Sequence, residues 1–189
     1  TYLGALQSFK SYRAGIVALK SFREEDCGAD AATLDRAKFC YVIPDFQNPG
    51  GTTMSLEERR ELCRLAEKHD FIIVEDSPYR ELRYSGTPVP TIRSLCPERT
   101  LQLGSFSKIF APGFRLGWIF GPEELLDQIY VCKQSLDLCP PVFDQYVAAE
   151  FLNSGALDEN LAKSISLYRE KRDLMLSLLE KYMPAGVSW

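Results

Sequence analysis

Residues 38–79, KFCYVIPDFQNPGGTTMSLEERRELCRLAEKHDFIIVEDSPY, decide the fold of this chain. FCYVI (39–43) and FIIVE (71–75) are short, near-continuous apolar runs, the pattern of strands in a sheet covered on both faces. Between them, PDFQNPGG (44–51) is turn chemistry: Pro49 biases Asn48 towards extended backbone, and two glycines permit a sharp reversal. SLEE (55–58) is a capping box, in which Ser55 accepts from the backbone three residues on while Glu58 reaches back. The pattern predicts a helix from there to about His69. Strand, loop, helix, strand at this spacing is a βαβ unit, which makes the two strands parallel. Ligands of such sheets bind beyond the carboxyl ends of the strands, where PDFQN (44–48) and EDSPY (75–79) both fall.

Upstream, TYLGALQSFKSY (1–12) has helical periodicity, AGIVALK (14–20) reads as a strand, and DAATLDRA (30–37) as a short helix with Asp30 as its N-cap. Downstream, ELRY (81–84) and TLQLGSFS (100–107) read as short strands separated by a proline-rich connection. GFRLGWIFG (113–121) reads as another strand, and PEELLDQIYVCKQSL (122–136) as a helix with Pro122 in its first turn. From Pro141 the pattern is helical, first to Gly155 and then as a long amphipathic helix over 157–183. The change from α/β alternation to long helices assigns 1–140 to one α/β domain and 141–189 to a helical connection and the start of a second. GVSW (186–189) has strand character, and both ends read as cut, so a segment of a longer protein is expected.

With 189 residues, 46% of them hydrophobic, the chain can bury a sizeable core. A net charge of −4 with mixed signs marks no nucleic-acid or membrane-surface partner and leaves small polar or anionic ligands. The longest apolar runs are too short to span a bilayer and no leader pattern opens the sequence, so a cytoplasmic protein is expected. Six cysteines without a CxxC pair point to reduced, packing-type thiols rather than a disulfide framework or zinc site. His69, the single histidine, falls at a helix end, where it suits the helix dipole better than a metal.

Asp76 ends an apolar strand, where a bare carboxylate is unfavourable without a cationic partner. Taken alone it serves equally well as a cap before Ser77-Pro78. Asn48 and Tyr79 bring hydrogen-bonding groups to the same rim, although each singly reads as a turn or surface residue. Lys108 directly follows a strand among Ser105, Ser107 and Arg115, in LGSFSKIFAPGFRLGW (103–118). A lysine attacks a carbonyl when burial or a neighbouring cation destabilises its ammonium. An arginine with two hydroxyls nearby suits a phosphate, because a planar fork and two donors satisfy the anion's oxygens. A solvated lysine beside a structural arginine is the plain alternative. SFSK (105–108) is also literally S-x-x-K, the serine-nucleophile motif of penicillin-binding proteins, but the KTG and SDN that accompany it occur nowhere in the chain.

One cofactor calls for an aldehyde-accepting lysine, a carboxylate for a pyridinium nitrogen, donors for a ring hydroxyl and an Arg-Ser phosphate site: pyridoxal phosphate. PDFQNPGG, VEDSPYRELRY and SFSKIFAPGFRLGW together closely resemble the fold-type I, class I/II aminotransferases, particularly the 2-aminoadipate and multi-substrate amino-acid transaminases and the aminotransferase-like domains of certain transcription regulators. The resemblance implies an α/β three-layer sandwich with a mostly parallel sheet, the large domain of the aspartate-aminotransferase-like fold, followed by the start of a small α/β domain. It implies that Lys108 bonds the cofactor aldehyde and later shuttles a proton at the substrate α-carbon. Asp76 is implied to pair with the pyridine nitrogen, Asn48 and Tyr79 to bond the ring 3-oxygen, and Ser105, Ser107 and Arg115 to bind the phosphate. In that family a further phosphate loop, a ring-stacking aromatic residue and a partner-subunit tyrosine lie upstream of Thr1, and the substrate-carboxylate arginine lies downstream of Trp189.

The resemblance thus implies transfer of an amino group between an amino acid and a 2-oxo acid, in a homodimer. A second function on the same fold is a sensor that binds the cofactor as an effector behind a DNA-binding domain, with nucleic acid as partner only in that case. Elimination or decarboxylation through the same lysine is a third.

Overall fold

The capping box forms as the sequence requires: Ser55 Oγ accepts from Glu58 N at 3.2 Å, and Glu58 Oε2 accepts from Ser55 N at 2.8 Å. In this computed structural model, which describes residues 2–189, that cap starts the helix on which the sheet is built. The elements in order are α1 (Leu3–Ser11), α2 (Ala31–Asp35), β1 (Phe39–Val42), α3 (Leu56–His69), β2 (Ile72–Asp76) and α4 (Ile92–Leu95). They continue with β3 (Thr100–Ser105), β4 (Gly117–Phe120), α5 (Glu123–Leu136), α6 (Val142–Asn153) and α7 (Ala156–Tyr182). The sheet runs β1-β2-β3-β4, with β1, β2 and β3 parallel and β4 antiparallel to β3. The expected βαβ unit is therefore β1-α3-β2, and the sheet is mostly parallel. Asp30 caps α2 through Thr33 N at 2.8 Å, also as the sequence predicts.

The core lies between α3 and one face of the sheet. Leu62, Cys63, Leu65 and Ala66 of α3 pack with Phe71, Ile73, Val42 and Ile92. On β2, Ile73 and Glu75 are buried, while Ile72, Val74 and Asp76 alternate onto the other, half-buried face, as period-two pleating demands. Tyr41 stands opposite Val74 in the ladder and so shares that face. Glu75 is a charged group in the core because it accepts from Ile92 N at 3.1 Å and Arg93 N at 2.8 Å at the start of α4. Burial pushes its pKa up and those two donors oppose the rise.

Three expected strands do not form. AGIVALK (14–20) is irregular, with Ile16 and Val17 exposed, and it pairs with neither of the edge strands β1 and β4. ELRY (81–84) is a 3-10 turn over Arg80–Leu82 followed by irregular chain. Its polar groups are drawn elsewhere: Leu82 N bonds Tyr79 O, Arg83 bonds Asp45, and Arg169 of α7 takes Tyr84 O with Nη2 at 2.7 Å and Nε at 3.0 Å. GVSW (186–189) makes no strand pairing, and its first two residues are part of a turn in which Val187 N bonds Pro184 O and Gly186 has φ +90°. The proline-rich connection is also more ordered than its composition suggests, since it contains α4 with Thr91 as N-cap.

All six cysteines are free thiols, but only part of the packing expectation holds. Cys27, Cys63 and Cys96 are buried, and burial pushes the Cys63 thiol up to about 12, whereas Cys132 and Cys139 are exposed on and after α5. His69 does end α3, yet the dipole is not its main partner. Its Nδ1 lies 2.6 Å from Asp35 Oδ1 and its Nε2 lies 3.3 Å from Glu24 Oε1. No helix among the described residues is long and apolar enough to cross a membrane.

Candidate active site

The loop carrying Asn48 is held by a buried arginine. Arg59 on α3 donates from Nη2 to Pro44 O at 3.1 Å, from Nε to Met54 O at 3.2 Å and from Nη1 to Pro90 O at 3.0 Å. Its charge is met by Asp45 Oδ1 at 3.0 Å, to which Arg83 Nη2 also donates at 2.8 Å. Two bonds thus fix both feet of the 44–54 loop. Within it, Gln47 N bonds Thr52 O at 2.8 Å and Gln47 Oε1 accepts from Gly50 N at 2.7 Å, while Gly51 supplies the left-handed φ of +70° that the reversal needs.

So held, Asn48 Nδ2 donates to Tyr79 Oη at 3.4 Å, and Lys108 Nζ lies 6.0 Å from the centroid of the Tyr79 ring. Residues from three separate loops therefore meet at the carboxyl ends of parallel strands. Asp76 closes β2 beside them, opposite Leu103 of β3. Tyr41 Oη donates to Asp76 Oδ2, and among the described residues Oδ1 accepts no hydrogen bond. Burial raises the Asp76 pKa, and the Tyr41 hydrogen bond offsets part of that rise. A half-buried carboxylate with one open oxygen is suited to a cation or an N–H donor.

Lys108 sits in a loop tied down on both sides. Ser107 N donates to Ser105 Oγ at 3.1 Å, Phe106 N bonds Leu116 O at 3.1 Å, and Ile109 just past the lysine is buried. Phe110 stacks on Phe151 of α6 with centroids 4.2 Å apart, and Asn160 of α7 donates to Ile109 O at 2.8 Å. The lysine itself is exposed, so its amine is reachable.

Arg115 lies at the turn into β4, which pairs Ser105 with Gly117 and so returns the chain beside the lysine loop. Its backbone is left-handed, φ 55° and ψ 34°, a conformation that costs a non-glycine residue about 1 kcal/mol or more. Its guanidinium is exposed and donates to Pro112 O at 3.1 Å, and no hydrogen bond among the described residues joins it to Ser105 or Ser107. Through the pairing of Ser105 with Gly117 the arginine and the two serines fall in neighbouring turns, and an arginine fork with hydroxyl donors is a set that suits an anion.

Of the seven residues singled out in the sequence, Asn48, Tyr79 and Lys108 are brought together by the contacts above, Asp76 and Ser105 end β2 and β3, and Ser107 and Arg115 lie in the turns next to Ser105. Tyr41, Arg59 and Asn160 had no local signal, being an alternation residue in a strand, a charge on an amphipathic helix and a polar residue on a long one. A cleft of about 560 Å³ opens from Asn48 and Tyr79 and is lined further by Phe46, Gln47, Tyr84 and Arg172.

Comparison with known proteins gives the family and the fold. The family model for aminotransferase class I and II matches residues 1–189. The aromatic-amino-acid aminotransferase 1 of Thermococcus litoralis is 44% identical over 201 residues, covering 100% of this chain and 48% of that protein. The crystal structure of the multiple substrate aminotransferase from Thermococcus profundus superposes with a TM-score of 0.91 at 43% identity, over 100% of this chain and 49% of that one. LysN, the α-aminoadipate aminotransferase of Thermus thermophilus, was solved complexed with N-(5'-phosphopyridoxyl)-L-leucine. It matches with a TM-score of 0.86 at 32% identity, over 97% of this chain and 49% of that one. The chain spans about half the length of the curated relatives it matches. With the family model covering every residue and the fold shared to a TM-score of 0.91, this chain belongs to the class I and II aminotransferases, a pyridoxal-phosphate-dependent family.

Proposed function

We propose that the full-length protein is a transaminase that moves an amino group between an amino acid and a 2-oxo acid. The observation that carries this reading is the meeting of Asn48, Tyr79 and Lys108 beside Asp76, whose Oδ1 has no partner among the described residues. This donor set fits pyridoxal phosphate: an amine for its aldehyde, a carboxylate for its ring nitrogen, an amide and a phenol for its ring oxygen, and Ser105, Ser107 and Arg115 for its phosphate.

When bound, the cofactor supplies an electron-withdrawing ring that stabilises negative charge at the substrate α-carbon. Asp76 keeps a proton on the ring nitrogen by setting a negative charge beside it, and each pKa unit so gained corresponds to about 1.4 kcal/mol. Asn48 and Tyr79 orient the ring through its oxygen. Arg115 grips the phosphate with its fork, and the two serine hydroxyls fill the remaining acceptor positions. Lys108 Nζ would hold the cofactor through its aldehyde and, when freed by the substrate's amine, would serve as the base that carries the proton taken from the α-carbon.

The aromatic lining of the adjacent cleft, Phe46, Tyr79 and Tyr84, supports donors with aromatic side chains, and Arg172 in the same lining supports an acidic one such as 2-aminoadipate. We further propose a cytoplasmic homodimer working in amino-acid biosynthesis, with residues 1–140 in the cofactor domain and 141–189 leading into the small one. Sedimentation of the full-length protein tests the dimer.

The deciding experiment takes full-length protein loaded with cofactor, reduces it with borohydride and maps the adduct, then offers aromatic amino acids and 2-aminoadipate with 2-oxoglutarate. The expected result is an adduct on Lys108, none in Lys108→Ala, and appearance of the matching 2-oxo acid. An adduct on another lysine overturns the site. A Lys108 adduct without transfer from any donor favours the effector-binding reading over the enzyme.

A further inference from the structure

We infer that Tyr41 is a positioning residue of this site, holding Asp76 by one carboxylate oxygen so that the other is left ionised and open for the cofactor's ring nitrogen. The inference rests on the proposed function and concerns a residue that no motif picks out.

Tyr41 and Asp76 are 35 residues apart in sequence and on neighbouring parallel strands. The ladder sets Tyr41 opposite Val74, on the same face as Asp76 and two residues short of it, which is within reach of a tyrosine side chain. Tyr41 Oη donates to Asp76 Oδ2, and among the described residues nothing else touches that carboxylate by a hydrogen bond. The ring is braced from the other side by Phe9 of α1, edge-on at 5.7 Å, and Phe9 in turn meets Phe39 at 5.2 Å.

The chemistry follows from the donor. A half-buried carboxylate drifts towards its protonated form, and a protonated Asp76 could not keep a proton on a neighbouring nitrogen. A phenol donating to it withdraws charge and lowers its proton affinity, so a proton shared between Asp76 Oδ1 and the ring nitrogen stays on nitrogen. Burial and the neighbouring Asp76 hold the Tyr41 proton on far above the ordinary tyrosine range, so Tyr41 remains a donor.

The test uses full-length protein loaded with cofactor labelled with ¹⁵N in the ring, and reads the nitrogen resonance of wild type, Asp76→Asn, Tyr41→Phe and a protein carrying 3-fluorotyrosine at position 41. Tyr41→Phe keeps the ring that packs on Phe9. We expect its resonance to move from the protonated towards the unprotonated position, by less than in Asp76→Asn. The more acidic fluorinated phenol is a stronger donor and moves it the opposite way. If wild type takes up no cofactor, or Asp76→Asn leaves the resonance unmoved, the reading of the site itself fails. If Asp76→Asn moves it while the Phe and fluorotyrosine proteins both match wild type, the role of Tyr41 is overturned.

Discussion

Replacing Arg59 with methionine keeps the stem and most of the volume but deletes every donor at the foot of the Asn48 loop. Removing one partner of a buried ion pair costs about 3–5 kcal/mol, and Arg59 and Asp45 are both fully buried. Asp45 keeps Arg83 at 2.8 Å, which puts the loss near the lower figure, about 3 kcal/mol. Of the three carbonyls Arg59 serves, Pro44 O keeps a second donor, Met54 N at 2.8 Å, so only Met54 O and Pro90 O are left without a replacement for that partner, about 1 kcal/mol each. The total is about 5 kcal/mol, a third or more of a typical domain's stability. Arg59→Lys restores the charge but not the planar fork and recovers about half. Arg83→Met, at a side chain 15% exposed, costs about 1–2 kcal/mol. Urea denaturation of the full-length variants, with cofactor titration alongside, measures both the clamp and its effect on the loop. A loss below about 1 kcal/mol for Arg59→Met, or a lysine variant equal to wild type, would refute the clamp.

Two further outcomes follow from the site. Asp76 has its pKa raised by burial, so in the folded state it takes up a proton at higher pH than in the unfolded chain. The ionised group therefore costs stability above its folded pKa, and the cost is relieved as pH falls through that value. Cofactor-free Asp76→Asn should be more stable than wild type at neutral pH, with the gap closing on acidification, and less stable once cofactor is added; thermal melts across pH check this, and a gap independent of pH contradicts it. Arg115→Gly relaxes a left-handed backbone while removing the guanidinium, so it should leave the cofactor-free protein as stable or up to about 1 kcal/mol more so. Its cofactor affinity should fall far more than that of Arg60→Ala, and equal affinities by fluorescence titration would remove Arg115 from the phosphate site.

The structure separates what was readable from what was not along the line between local and distant chemistry. The capping box at Ser55, the cap at Asp30 and the strands around them are set by groups a few residues apart, and they form as expected. ELRY alternates like a strand, yet Arg169, 85 residues away, takes the Tyr84 carbonyl, and Asp45 takes Arg83. Nothing in the four residues records that competition. AGIVALK has strand composition yet joins neither free edge of the sheet, and its seven residues carry no record of that outcome.

By itself the sequence determined the βαβ unit and the order of three motifs, because caps, turns and apolar runs act over one or two turns of chain. Strand ends pointed to Asn48, Asp76 and Tyr79, because a parallel sheet opens there, and the roles of these and of Ser105, Ser107, Lys108 and Arg115 came from the resemblance of the three motifs. Only the tertiary structure decided that Tyr41 holds Asp76, that Arg59 fastens the Asn48 loop and that Asn160 and Phe151 steady the segment after Lys108. Each of these partners comes from another element, and a hydrogen bond or stacked ring between elements is fixed by how the sheet and helices pack rather than by the residues on either side of it.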